Sequence, residues 1–246
     1  MLVAGIVLGY IGITRYSEEQ QAGKFYDELK TDLAIEPLTT LPPVQEEEPV
    51  NPIDFDALTA EYPDVYAWIR IPGTNVDYPI VQREGDNSYY LTHTIDGQTK
   101  KEGSIFTEDY NTKTFDDPNT IIYGHDMRNG SMFKTLHKYR DKQFLLENPD
   151  VYIYQENRML QYKIFAAYIT DSRHLMLAYD FNDENIFRDY VKNVLTKSNI
   201  NSNIDVSVDV NTDNKIITLS TCNGNNTQRY LVQAVLVSTV EYGKDE

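Results

Sequence analysis

From residue 67 onward the chain keeps returning to short runs of apolar, β-branched and aromatic residues, several with a period of two, each stopped by Gly, Pro, Asn, Asp or another polar turn former. The runs are AWIRI (67–71), VDYPIV (76–81), GSIFTE (103–108), NTIIYG (119–124), VYIYQ (151–155), QYKIFAAYI (161–169), KIITLST (215–221) and YLVQAVLVSTVEY (230–242). This punctuation predicts strands and a mainly β domain. Two stretches break the pattern and predict helical insertions. One covers residues 131–139; the longer covers 182–198, where Ile186, Phe187, Tyr190, Val191 and Val194 form a stripe at helical spacing. No internal repeat interrupts the series.

The first 52 residues read differently. Leu2 to Ile13 is uncharged and mostly apolar, but shorter than the roughly 20 residues a spanning helix needs, and no basic residue precedes it. Residues 1–15 are therefore read as a possible truncated membrane anchor, with a mobile apolar tail as the alternative. Phe25, Leu29 and Leu33 recur at helical spacing and predict a helical stalk over 16–34. Residues 35–52 hold five prolines and an acidic run, the composition of an extended linker. The folded domain is expected over 53–246.

Composition narrows the function. With 246 residues, 41% hydrophobic and 12% aromatic, the chain can build a sizeable core, in which Trp68 is expected to sit. A net charge of −16, from 38 acids against 22 bases, argues against binding a phosphate backbone, so no nucleic-acid partner is expected. The single cysteine, Cys222, excludes an internal disulfide and a cysteine-based zinc cluster. The acidic pairs Asp116-Asp117 and Asp183-Glu184 lack the ligand pattern of a calcium loop, and no metal or cofactor is expected.

Cys222 ends an alternating run, with Ile216, Thr218, Ser220 and Cys222 on one face and Ile217, Leu219 and Thr221 on the other. If the chain reverses through the Asn-Gly loop that follows and the next strand pairs antiparallel, Arg229 stands beside Cys222. A guanidinium there can favour a thiolate and donate to an oxyanion. His125, directly after a glycine that closes another run, is the best-placed proton carrier. His93, His137 and His174 read as surface or packing residues, with His93 the first fallback for the proton role. A lone cysteine is more often a small core residue than a nucleophile, and spacing alone leaves both readings open.

The segments TLSTC with Arg229 seven residues on, and YGH upstream, resemble those of the sortases, as do DVYAWIRIPGTNVDYPIVQ, DNSYYLTH, GSIFTEDY and IIYGHDMRNGSMFKTL in the same order. The resemblance implies a closed β-barrel of about eight strands with helical insertions and an N-terminal helix. It also implies a cysteine transpeptidase of the Gram-positive cell surface, which cuts a C-terminal sorting signal after a threonine and joins the threonine carbonyl to an amine. TLSTC and the helix between the sixth and seventh runs are most similar to class B. By this resemblance Cys222, His125 and Arg229 are the catalytic residues. Asn87 and Tyr123 match positions lining the class B site, while Ser220 and Thr221 are candidate substrate contacts; turn and strand roles are the alternatives for all four. The implied partners are a surface-protein sorting peptide and an amine acceptor, from a peptidoglycan precursor or a pilin subunit. The implied location is the membrane, by a single N-terminal anchor, with the catalytic domain extracellular. A hydrolytic cysteine peptidase on the same scaffold and a catalytically silent surface-interaction domain are the competing functions.

Overall fold

The computed structural model describes residues 23–33, 35, 50–197, 202–222, 224 and 227–243. In chain order its elements are helix α1 (23–32), α2 (Phe55–Glu61), β1 (Val65–Arg70), β2 (Asp77–Val81), a 3-10 turn (Tyr89–Leu91), β3 (Ile105–Thr107), β4 (Asn119–Tyr123), a 3-10 helix (Lys134–Arg140), α3 (Lys142–Glu147), β5 (Asp150–Gln155), β6 (Arg158–Asp171), α4 (Leu175–Ala178), α5 (Glu184–Leu195), β7 (Ser202–Ile204), β8 (Ile216–Cys222) and β9 (Gln228–Glu241). Each of the eight expected runs forms a strand. Neighbours follow the order β5-β1-β2-β3-β4-β8-β9-β6, and a β5–β6 pairing closes the sheet into an eight-stranded barrel. β7 adds outside the ring, on β6. Closure pairs every one of these eight strands on both sides, and β7 covers part of the stretch of β6 that extends past β5, which limits the open edges a mainly β chain has to protect.

Strand alternation sorts side chains into two layers. Ile69, Ile80, Ile217, Leu219 and Val232 share the face that fills the barrel, while Trp68, fully buried as expected, lies on the opposite face of β1, level with Pro79. Ile121, Phe165, Ile216, Leu231 and Val235 form a second apolar layer on the outside, which α5 covers with Phe187, Tyr190, Val191 and Val194. Ile186, placed in that stripe by its spacing, is instead 38% exposed. It lies in the first turn, capped by Asp183, whose side chain accepts from the N–H groups of Asn185 and Ile186 at 2.9 and 3.2 Å.

The insertion expected at 131–139 is a 3-10 helix, and it runs on into α3, which the periodicity did not predict. Asp141 divides them by turning to extended geometry and capping α3 through Gln143 N–H at 2.9 Å. α2 was likewise unexpected; Asp54 caps it through Ala57 N–H at 2.9 Å.

Within the segment read as a stalk, residues 23–32 are helical and lie against the barrel. Tyr26 and Leu29 are the buried positions, with Phe25 and Leu33 only half-buried beside them, so the contact face includes a tyrosine that the spacing pattern passed over. The Tyr26 ring meets Tyr78 of β2 edge-on at 5.2 Å, and its hydroxyl donates to Gly103 O at 3.3 Å. The expected anchor at 1–15 and most of the linker lie outside the described residues. Among the described residues no helix is long and apolar enough to cross a membrane.

Candidate active site

β4 and β8 run parallel at the centre of the ring, with Tyr123 level with Ser220. Gly124 N–H extends this ladder by donating to Ser220 O at 3.1 Å, so the chain leaves β4 beside the last residues of β8. β8 pairs antiparallel with β9, and its final register pair is Cys222 with Arg229. Three strand ends thus bring His125, Cys222 and Arg229 to one rim. They line a cavity of about 220 Å³ together with Asn87, Leu91, Tyr123, Ser220 and Thr221.

Cys222 belongs to the outward face of β8, the face of Ile216 rather than that of the barrel-filling Leu219, and is partly exposed. His125 is fixed from outside its own strand: Nε2 lies 2.7 Å from Leu91 O, and His125 O accepts from Phe133 N–H at 2.9 Å. Because a carbonyl only accepts, Nε2 carries the proton in this contact, and the neutral ring then offers Nδ1 as a base. The adjacent carboxylate does not orient this imidazole. Asp126 is engaged with Lys134 Nζ at 2.8 Å and His137 Nε2 at 3.2 Å. Although burial pushes its carboxyl up, those two groups hold it below the usual carboxylate range.

The remaining expected residues differ in availability. Asn87 stands on the cavity wall, but its amide is held by Asp109 at both ends, donating to Oδ1 at 2.6 Å and accepting from the main-chain N–H at 2.7 Å. That carboxylate is pulled down by Gly85 N–H and by Asn87. Ser220 and Thr221 are both buried, and the Thr221 hydroxyl has no partner among the described residues. Tyr123 donates to Glu108 Oε2 at 3.0 Å and stacks on Phe106 with ring centres 5.3 Å apart.

The second histidine at the cavity is His174, not His93. His93 lies flat on Tyr89 at 4.0 Å and donates to Tyr89 O at 2.8 Å, a packing role. His137 pairs with Asp126, as above. His174, expected to be a surface or packing residue, lines the cavity and reaches Glu108 at 2.8 Å. Neither partner was legible, because 66 residues separate them and no local spacing links a loop histidine to the carboxylate after β3.

A barrel that gathers a thiol, an imidazole and a guanidinium in one cleft has the components of thiol-dependent acyl transfer. The chain belongs to the sortase family, whose Sortase domain model matches residues 69–237, and its relatives are of class B. Sortase B of Listeria monocytogenes is 41% identical over 159 residues, which cover 65% of this chain and 63% of that protein. Sortase B of Staphylococcus aureus is 28% identical over 240 residues, covering 96% of this chain and 93% of that protein. Among solved structures, sortase B from Bacillus anthracis in complex with AAEK1 superposes with a TM-score of 0.75 at 27% identity, over 91% of this chain and 99% of that one. Sortases are cysteine transpeptidases.

Proposed function

We propose that this protein cleaves a C-terminal sorting signal through a thioester at Cys222 and passes the acyl group to an amine. Cys222 attacks the scissile carbonyl, and Arg229 donates to the oxygen as it gains charge. His125 takes the Cys222 thiol proton on Nδ1 as the sulfur attacks and then passes it to the departing amine, so that a neutral peptide leaves the thioester behind. The acceptor amine then attacks, His125 takes its proton, and sulfur departs as the new amide forms. Transfer outruns hydrolysis when the amine is held in line with the thioester while water is not.

The single observation that carries this reading is the register pairing of Cys222 with Arg229 beside the β4 exit that bears His125. Asn87, Tyr123, Ser220 and Thr221 serve as substrate contacts from the cavity wall. One structural relative, 25% identical, is a sortase B complexed with triglycine, which supports an amine-bearing acceptor for this chain. The acceptor belongs to a peptidoglycan precursor or a pilin, and residues 1–15 tether the protein to the membrane with its domain outside.

The test incubates the protein with a panel of sorting peptides, with and without an amine. Ligated product that requires the amine supports transpeptidation. Cleavage at the same rate without amine assigns a hydrolase instead, and absence of turnover across the panel leaves a binding domain.

A further inference from the structure

Glu108 follows β3 and is built as a fixed post. Its main-chain carbonyl accepts from Gln82 Nε2 at 2.9 Å and from Asn111 N–H at 3.1 Å. Its side chain is only 12% exposed, yet it lies beside the apolar cavity residues Leu91, Phe106 and Leu175. A carboxylate in such a place is unfavourable unless it is paired. Tyr123 donates to Oε2 at 3.0 Å, and burial together with the Glu108 charge pushes that phenol up, so it stays a donor. On the other side His174 Nε2 lies 2.8 Å from the carboxylate.

His174 sits on a much less supported piece of chain. It lies between the end of β6 and the one-turn α4, whose first N–H groups receive no side-chain cap. The charges nearest it on this segment are spent locally, since Arg173 and Asp171 pair with each other at 2.6 Å. Leu175 is the segment's apolar anchor in the outer layer, and His174 is its polar tie back to the barrel. The same segment, Thr170 to Leu175, forms the cavity wall facing Cys222 and His125.

We infer that Glu108 and His174 are positioning residues, a hydrogen-bonded pair that holds the 170–175 segment as a wall against the bound sorting peptide. The inference rests on the transpeptidase reading for the identity of the peptide. Neither residue exchanges protons with the reacting atoms; they set how tightly the acyl donor is held over Cys222. Losing a hydrogen bond to a charged partner predicts about a tenfold loss of peptide affinity.

The experiment uses the full chain as wild type, His174→Ala and His174→Gln. Peptide affinity is read from protection of Cys222 against alkylation, alongside KM and kcat for ligation and hydrogen exchange over residues 170–178. The Ala variant is expected to lose protection and raise KM about tenfold, with kcat changed much less and faster exchange confined to the segment. The Gln variant keeps a donor for Glu108 and is expected to recover most of the affinity. Alkylation without peptide should be equal in all three. Unchanged affinity in the Ala variant overturns the inference, as does a Gln variant no better than Ala. Slower alkylation of the free Ala variant also overturns it, because His174 would then act on the thiol. Peptides that protect the wild type but never ligate overturn the transpeptidase reading alone, since the affinity comparison still decides the wall. If no sorting peptide protects the wild type, both fall.

Discussion

At the scale of single residues, the three candidate catalytic side chains differ in what they can lose. Replacing Cys222 by Ala removes the only thiol in the chain, so covalent labelling and turnover should both vanish while the fold stays intact. Persistent peptide cleavage by that variant would move the nucleophile elsewhere. Arg229→Lys keeps a positive charge but loses the planar fork of donors, so the ligation rate should fall sharply at every pH without a change in profile. His125→Gln still hydrogen bonds but cannot exchange a proton; it should cost about 10²-fold or more and lose the limb set by the imidazole. Ligation rate against pH for both variants checks this, and a Lys variant at wild-type rate would remove Arg229 from the set. The pairing of Cys222 with Arg229 was legible because strand period and hairpin reversal fix it locally. The contacts that orient His125, from Leu91 and Phe133, were not, because they come from segments with no spacing relation to it.

At the scale of elements, the rim that carries the candidate catalytic residues depends on how β4 ends. A Cβ built on Gly124 would lie 2.5 Å from Ile105 Cδ1 and 2.7 Å from the Phe133 ring. The Ile105 methyl can swing aside, but the Phe133 ring is fully buried and cannot retreat without disturbing the turn whose N–H group holds His125 O. Gly124→Ala should therefore destabilise the protein by about 1–3 kcal/mol, the usual range for overpacking, and displace His125 from Cys222. The expected result is a moderately lowered melting temperature with ligation reduced far more than folding explains. Equal activity per folded molecule would show that the β4 exit tolerates the shift. Elements of this kind divide cleanly by legibility. The strands announce themselves by alternation, whereas α2, α3 and α4 are one or two turns long, too short for a 3.6-residue period to register. What starts α2 and α3 is a single capping aspartate each, and the short strand β7 pairs with residues 166–168 of β6, beyond the stretch that pairs with β5.

At the scale of the whole molecule, the strands were readable from the runs and their closure into a ring was implied by the sortase resemblance alone, but the reach of the core was not readable. Tyr26 and Leu29 of α1 are 3% and 7% exposed, and Lys30 approaches Asp77 at 3.7 Å. Fully burying two such side chains is worth roughly 1.5–3 kcal/mol each. Residual burial in the unfolded chain trims the sum, and the Lys30 pair adds little because such pairs are worth about 0–1 kcal/mol. We therefore propose that residues 23–32 contribute about 3 kcal/mol to the stability of the barrel. For a domain of this size that corresponds to a melting temperature lower by roughly 6–12 °C when the chain starts at Ile53 instead of Gly23. Alkylation of Cys222 should proceed at the same rate in both chains at 25 °C, since α1 packs on Tyr78 and Gly103 while the thiol sits at the end of β8. Coincident melting curves would mean that the barrel closes its core without the helix, and slower alkylation in the shorter chain would mean that the helix supports the rim around Cys222 as well.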